Sequence, residues 1–171
     1  YEDCGDWDYS IYTNTQMPWQ EGDNASVPQA PTNYNPVGFY RKEFTVNPSM
    51  LQENGRVLIS FQGVESAYYV YVNGHEVGYS EDSYRPHEFD ITDYLNPQGE
   101  VNTLAVEVHK FCDGTWMEDQ DMIYDGGIFR DVYLYSTPLV HISDYRVITD
   151  LDETYTNADL QLSPVVTNYA T

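Results

Sequence analysis

Basic residues are scarce in this chain: seven Lys and Arg face 28 Asp and Glu, and the formal net charge is −21 at pH 7. So negative a surface repels phosphate backbones and anionic lipid, which argues against nucleic-acid and membrane-surface partners. No apolar run approaches the roughly 20 residues that span a bilayer, so membrane insertion is not expected. Seventeen Tyr, six Phe and three Trp still supply material for a core, which argues against disorder.

Cysteine is equally rare. Cys4 and Cys112 are too few for a disulfide scaffold and too far apart in sequence for a zinc knuckle. One bridge between them is compatible with the sequence, although two separate thiols are the simpler expectation. The four histidines share no metal-ligand spacing. The compartment stays open between a bacterial cytoplasm and secretion, with a slight lean towards secretion.

No window of the sequence has the apolar period of an amphipathic helix, whereas short alternating runs recur from residue 38 onward. These runs predict strands near residues 39–46, 57–61, 66–72, 75–79, 104–108 and 128–134. Asn73-Gly74 lies between two of them and predicts a hairpin with a type I′ turn. Many short strands with close turns favour an all-β jelly-roll β-sandwich.

The chain divides at Thr137-Pro138. Residues 1–138 are predicted to form the jelly roll, whose first strand is expected to be missing. Residues 139–171 add two strand-like runs (139–150 and 158–168), too few to enclose a core. We therefore expect the incomplete start of a second sandwich, and interpret the chain as a fragment of a longer protein.

Acidic and amide side chains crowd one predicted loop, at Glu118, Asp119, Gln120 and Asp121. The Gly126-Gly127 pair that follows allows a sharp turn back into a sheet. Because neighbouring carboxylates repel one another, such a cluster favours a cation or a polyhydroxylated ligand. The simpler interpretation is that these side chains cap turns or brace the loop, and we prefer it for Glu118 and Asp119.

Three long segments resemble the β-galactosidases of glycoside hydrolase family 2: VGYSEDSYRPHEFDITDYL from Val77, NTLAVEVHKFCDGTWMEDQDM from Asn102, and GGIFRDVYLYSTP from Gly126. IYTN at residues 11–14 is similar as well. The resemblance implies a galactose-binding-domain-like jelly roll, then an immunoglobulin-like sandwich, then a (β/α)₈ barrel with two catalytic carboxylates that act by the retaining mechanism. The barrel is absent here, so the resemblance implies an inactive fragment of a homo-oligomeric enzyme that hydrolyses terminal β-D-galactosides.

The same resemblance assigns two site residues. Asp121 is implied to bind sodium and a galactose hydroxyl, and Asn14 is implied to contact the sugar; magnesium is implied only in the missing barrel. Ile123 departs from the family pattern, which usually has Trp there, so the sugar specificity is open. The other domains of the enzyme are the remaining expected partners.

Two other functions fit the residues. A stand-alone carbohydrate-binding module would present an exposed aromatic platform, for which Tyr68, Tyr69 and Tyr71 are candidates, although alternating burial explains these tyrosines more simply. A purely structural assembly domain would use the acidic loop to contact a neighbouring subunit. Arg130 and Asp131 are expected to form a structural ion pair.

Overall fold

The computed structural model describes residues 11–19, 25–118 and 121–170. Within these ranges it contains strands and three 3₁₀ segments, Pro48–Asn54, Thr92–Tyr94 and Asp113–Trp116, and no α-helix. The all-β class is therefore confirmed. None of the described segments is a helix with the length and apolar character needed to cross a bilayer. Cys112 is a free, buried thiol, and Cys4 lies outside the described residues.

Thirteen strands occur in the described residues: β1 Ile11–Thr13, β2 Val37–Phe44, β3 Arg56–Phe61, β4 Val64–Glu65, β5 Ala67–Val72, β6 His75–Ser80, β7 His87–Asp90, β8 Asn102–His109, β9 Met122–Tyr124, β10 Gly127–Ile128, β11 Val132–Thr137, β12 Val140–Leu151 and β13 Ala158–Asn168. One sheet has the order β2-β8-β5-β6 and a second has the order β11-β3-β7. The pairs β1–β9, β4–β10 and β12–β13 form separate ribbons, and every pairing is antiparallel.

The core lies between the two larger sheets. Alternate residues of β3, β5 and β8 are buried there, as the period of two in their sequences predicts. Phe61, Tyr68 and Phe89 pack ring to ring, with centroids 5.1 to 6.1 Å apart. Gly78 is required beside this cluster, because a Cβ there would lie 2.7 Å from the Phe89 ring. Tyr68 is therefore a core residue and not part of a sugar platform.

The Asn73-Gly74 hairpin is confirmed. The φ angles of its two turn residues are 51° and 82°, the left-handed region that a type I′ turn needs. The Asn73 side chain also accepts a hydrogen bond from the Thr103 amide at 2.8 Å and donates to the Tyr94 carbonyl at 2.8 Å. The asparagine therefore stabilises both the turn and the neighbouring strand.

The strand predicted over residues 128–134 is interrupted, because β10 ends at Ile128 and β11 begins at Val132. The expected ion pair between Arg130 and Asp131 is also wrong. Arg130 donates instead to the carbonyl oxygens of Gln62, at 3.2 Å, and Tyr84, at 2.9 Å. Backbone bonds from the Phe129 amide to the Gly63 carbonyl and from the Gln62 amide to the Asp131 carbonyl also join the two segments at the break. Sequence alternation does not reveal these contacts.

Among the described residues, no strand covers one side of the sandwich. Strands β2 and β11 are edge strands of their sheets, and a groove of about 450 Å³ lies between them. Core side chains such as Ile59 and Val106 line its floor. Tyr40 faces the same side of the sheet as its partner Val106 but is 42% exposed. An inward-facing aromatic side chain is thus left in contact with solvent.

The ribbon β12–β13 differs from the sandwich, because nearly all its side chains are exposed. Directly paired residues share a face, so the register divides the ribbon into two faces. One face, here called the apolar hairpin face, consists of Val140, Ile142, Tyr145, Val147, Thr149, Leu151, Ala158, Leu160, Leu162, Pro164, Val166 and, as the polar partner of Val140, Asn168. A bulge between Ile142 and Asp144 keeps Val140 and Ile142 on that face. The opposite face is mostly polar.

Candidate functional site

Asn14 and Asp121 lie at the same end of the β1–β9 ribbon. Thr13 pairs directly with Met122 in this antiparallel ladder. Asn14 follows Thr13, and Asp121 precedes Met122, so the fold places the two residues opposite each other although they are far apart in sequence. The ribbon thus brings to one end the two residues that the family resemblance assigned to the sugar.

Both residues are exposed beside the outward face of the ribbon. Tyr12 and Ile123 are directly paired on that face, and the Tyr12 hydroxyl reaches the Asp121 carboxylate. This face is exposed, with Tyr12 62% and Ile123 53% accessible. The opposite face carries Tyr124, which is buried. We call the set Tyr12, Asn14, Asp121 and Ile123 the ribbon site.

A short hydrogen bond orders the ribbon site. The Tyr12 hydroxyl donates to Oδ1 of Asp121 at 2.6 Å, within the range of a charge-assisted O–H···O⁻ bond. The pKa of Tyr12 is raised, chiefly by this bond to the carboxylate. The phenol therefore stays protonated at neutral pH and remains a donor. Sequence reasoning missed this contact, since the two residues are 109 positions apart.

Glu118 braces the loop, as the sequence predicts. Its two carboxylate oxygens accept hydrogen bonds from the Ser83 amide, at 2.8 Å, and the Ser83 hydroxyl, at 2.7 Å. The Tyr124 hydroxyl donates to the Glu118 carbonyl at 3.1 Å. Ser83 is fully buried, so the loop is tied to the sandwich at this point. Asp119 and Gln120 lie outside the described residues.

The turn after the ribbon rests on a buried carboxylate. Oε2 of Glu65 accepts a hydrogen bond from the Gly126 amide at 3.0 Å. Burial raises the pKa of Glu65, and the negative charges of Glu118 and Asp125 act in the same direction. Gly126 and Gly127 have φ of 73° and 88°, so the predicted need for glycine at this turn is confirmed.

A second acidic group lies elsewhere on the domain. Ligand atoms of Glu81, Cys112 and Asp113 come within 4.8 Å of one another. Burial raises the pKa of the Cys112 thiol, which therefore stays protonated at neutral pH and is a poor metal ligand. The Tyr79 hydroxyl also occupies one Glu81 oxygen. The group is a candidate cation site with a weak donor set.

Comparison with known proteins gives the family. The model described as "Glycosyl hydrolases family 2, sugar binding domain" matches residues 1–138, and the chain belongs to this family. It is 54% identical over 163 residues to a β-galactosidase of Priestia megaterium, covering 95% of this chain and 15% of that protein. A β-galactosidase of Clostridium acetobutylicum is 50% identical, with coverage of 90% and 17%. The chain thus spans only about a sixth of these curated relatives.

Solved structures agree on the architecture. A β-glucuronidase of Bacteroides uniformis superposes with a TM-score of 0.70 at 26% identity, over 80% of this chain and 17% of that one. A calcium-binding mutant of B. uniformis β-glucuronidase 2 gives a TM-score of 0.64 at 25% identity, over 78% of this chain and 16% of that one. The fold is therefore the N-terminal sandwich of family 2 enzymes.

Proposed function

We propose that the chain is a non-catalytic N-terminal part of a β-galactosidase, and that the ribbon site completes the sugar subsite of a catalytic barrel elsewhere in the parent polypeptide. The curated relatives are named β-galactosidase. The observation that carries the proposal is the juxtaposition of Asn14 and Asp121, both exposed, at one end of the β1–β9 ribbon. The longer polypeptide that contains residues 1–171 is called the parent enzyme.

The hydrogen-bonding groups of the ribbon site fit a sugar hydroxyl. A carboxylate offers about four lone-pair positions, and the Tyr12 bond uses one of them. No described residue is recorded as a partner of the Asp121 Oδ2 atom, which can therefore accept from a hydroxyl. The Asn14 amide both donates and accepts, which suits a neighbouring pair of hydroxyls. The substrate is neutral, so the negative charge of the chain does not oppose its binding.

The oxygen atoms of the ribbon site also fit sodium, as part of a site shared with other residues. A hard cation prefers oxygen ligands and takes about six or more of them. The ribbon site offers the Asp121 carboxylate and the Asn14 amide oxygen, which is too few to hold an ion alone. Asp121 would thus supply one charged ligand, and residues of the parent enzyme outside residues 1–171 would supply the rest. Bound sodium would offset the carboxylate charge beside the sugar.

The open groove supports the expectation that the jelly roll of residues 1–138 lacks a strand. An extended segment along the free edge of β2 would pair its backbone and cover Tyr40. Arg41 and Lys42 also line the groove, in a chain with only seven basic residues. We propose that a strand of the parent enzyme outside residues 1–171, with acidic side chains near this pair, occupies the groove.

The apolar hairpin face supports the second domain. Two strands are too few for a stable sheet in water, and a continuous apolar face needs an opposing layer. Residues 139–171 are proposed to begin an immunoglobulin-like sandwich whose second sheet covers this face. A retaining barrel with two carboxylates, magnesium in that barrel and a homo-oligomeric assembly complete the proposed parent, and residues 1–171 alone should not hydrolyse galactosides.

Replacing Asp121 by Ala in the parent enzyme tests the function. Loss of a charged hydrogen-bond acceptor to substrate should reduce kcat/KM by about 10- to 100-fold and weaken sodium dependence. Asp159→Ala, an exposed aspartate on the polar face of the hairpin, is the matched control and should change kcat/KM less than about twofold. Unchanged kinetics and sodium dependence in Asp121→Ala would instead favour a structural assembly domain.

A further inference from the structure

We infer that Tyr12 is a positioning residue of the ribbon site, which holds the Asp121 carboxylate in the orientation that receives the ligand. The inference rests on the proposed function of Asp121. It assigns a role to a residue that the sequence motifs left unassigned, and it follows from the hydrogen bond and the strand register.

The register places Tyr12 where it can act. Tyr12 pairs with Ile123, and Asp121 lies two residues before Ile123 on the same face. Such diagonal neighbours on one face of an antiparallel pair are within reach of a long aromatic side chain. The 2.6 Å bond from the Tyr12 hydroxyl to Oδ1 closes this diagonal.

The hydrogen bond from Tyr12 restrains the Asp121 side chain, which has no other recorded partner among the described residues. Asp121 is exposed and begins the short strand region after residues 119–120, so its carboxylate would otherwise rotate freely in solvent. Fixing Oδ1 selects which oxygen is left for a cation or hydroxyl. A ligand then binds without first ordering the carboxylate, which lowers the entropic cost of binding.

No other described residue duplicates this contact. The neighbouring carboxylates have other partners, because Glu118 accepts hydrogen bonds from Ser83 and Glu65 accepts one from the Gly126 amide. These two carboxylates therefore stabilise the loop. Tyr12 alone among the described side chains is recorded as a donor to the Asp121 carboxylate. Tyr12→Phe therefore removes one hydroxyl and one bond while it keeps the ring.

The test is Tyr12→Phe in the parent enzyme, with Tyr155→Phe as the control. Tyr155 is more exposed than Tyr12 and lies in the turn of the β12–β13 hairpin. We expect Tyr12→Phe to raise KM for a nitrophenyl β-galactoside about 3- to 10-fold, with kcat within about twofold, because a positioning bond contributes to ligand binding. The apparent Kd for sodium, measured by ²³Na NMR without substrate, should rise by a similar factor.

A double-mutant cycle separates the inference from the proposed function. Tyr12→Phe should have no further effect in an Asp121→Ala background, since its partner is already absent. If Asp121→Ala impairs the enzyme but Tyr12→Phe changes neither KM nor sodium affinity, the role of Tyr12 is wrong and the proposed function stands. If neither variant has an effect, both are wrong. An equal effect of Tyr12→Phe with and without Asp121 would show that Tyr12 acts by itself.

Discussion

The sandwich and the hairpin of this chain are built from similar sequences but end in different states. In the sandwich, alternating Val, Ile and aromatic residues from facing sheets bury one another. In the hairpin, the same alternation produces an apolar face with no opposing sheet among the described residues, and Leu162 is 62% exposed there. A strand pattern therefore predicts which side chains need to be buried. Whether they are buried depends on the presence of a second sheet that packs against them.

The largest expected difference concerns the stability of residues 1–171. Phe61→Ala empties a fully buried position and should lower the free energy of unfolding by about 3–5 kcal/mol. Leu162→Ala removes an exposed side chain and should change it by less than about 0.5 kcal/mol. Urea denaturation followed by tryptophan fluorescence measures both. Equal losses would mean that the hairpin face is covered within this chain.

In the parent enzyme, substitutions on the apolar hairpin face should reduce stability, unlike in residues 1–171 alone. Leu162 and Val165 are both exposed apolar residues of β13, but only Leu162 lies on the apolar hairpin face. If a second sheet covers that face, Leu162→Ser should cost about 2–4 kcal/mol in the parent, whereas Val165→Ser should cost less than about 1 kcal/mol. Thermal unfolding of the domain measures the pair. Similar costs for the two variants would contradict the proposed second sheet.

The smallest expected effect is a pH dependence of opposite sign in the two regions. Burial raises the pKa of Glu65 above its ordinary 4.5, so the folded sandwich retains this proton longer than the unfolded chain. The folded sandwich therefore loses stability as pH rises from the pKa of Glu65 in the unfolded chain to its higher pKa in the folded state. Glu65→Gln should flatten that part of the urea stability profile. A profile unchanged by Glu65→Gln would rule out this linkage.

Asp152 behaves in the opposite way in the hairpin turn. The amides of Thr156 and Asn157 and side chains of the same turn donate to its carboxylate, and these bonds lower its pKa. The turn is stabilised above the unfolded pKa of about 3.9 and should loosen as pH falls below it. Amide exchange of residues 152–157 measures this change. Protection that stays constant down to pH 2 would contradict the assignment.

Local patterns predict most of the architecture. Alternation predicted β2, β3, β5, β6, β8 and part of β11, and Asn73-Gly74 predicted a turn, because each depends on residues close together in sequence. It did not predict β7 at His87–Asp90, which pairs with β3. At the break between Ile128 and Val132, Arg130 donates to the carbonyls of Gln62 and Tyr84, and local patterns do not record these distant contacts. The bulge after Ile142, which sets the hairpin faces, depends likewise on register with a distant strand.

The ribbon site shows the same limit more sharply. Family resemblance assigned Asn14 and Asp121, but only the pairing of Thr13 with Met122 places them side by side. Glu118 was expected to brace the loop, and its partner Ser83 emerged from the fold. Tyr12 lies within the IYTN segment, but the resemblance assigns it no role. Contacts between distant segments, which sequence alone does not provide, give this site its geometry.

A crystal structure of the parent enzyme with bound galactose and sodium tests the central claim most directly. The account predicts that Oδ2 of Asp121 lies within about 3.2 Å of a galactose hydroxyl or the sodium ion, with the Tyr12 hydroxyl on Oδ1. An Asp121 carboxylate that faces bulk solvent or another subunit, with the sugar held entirely by other residues, would contradict it.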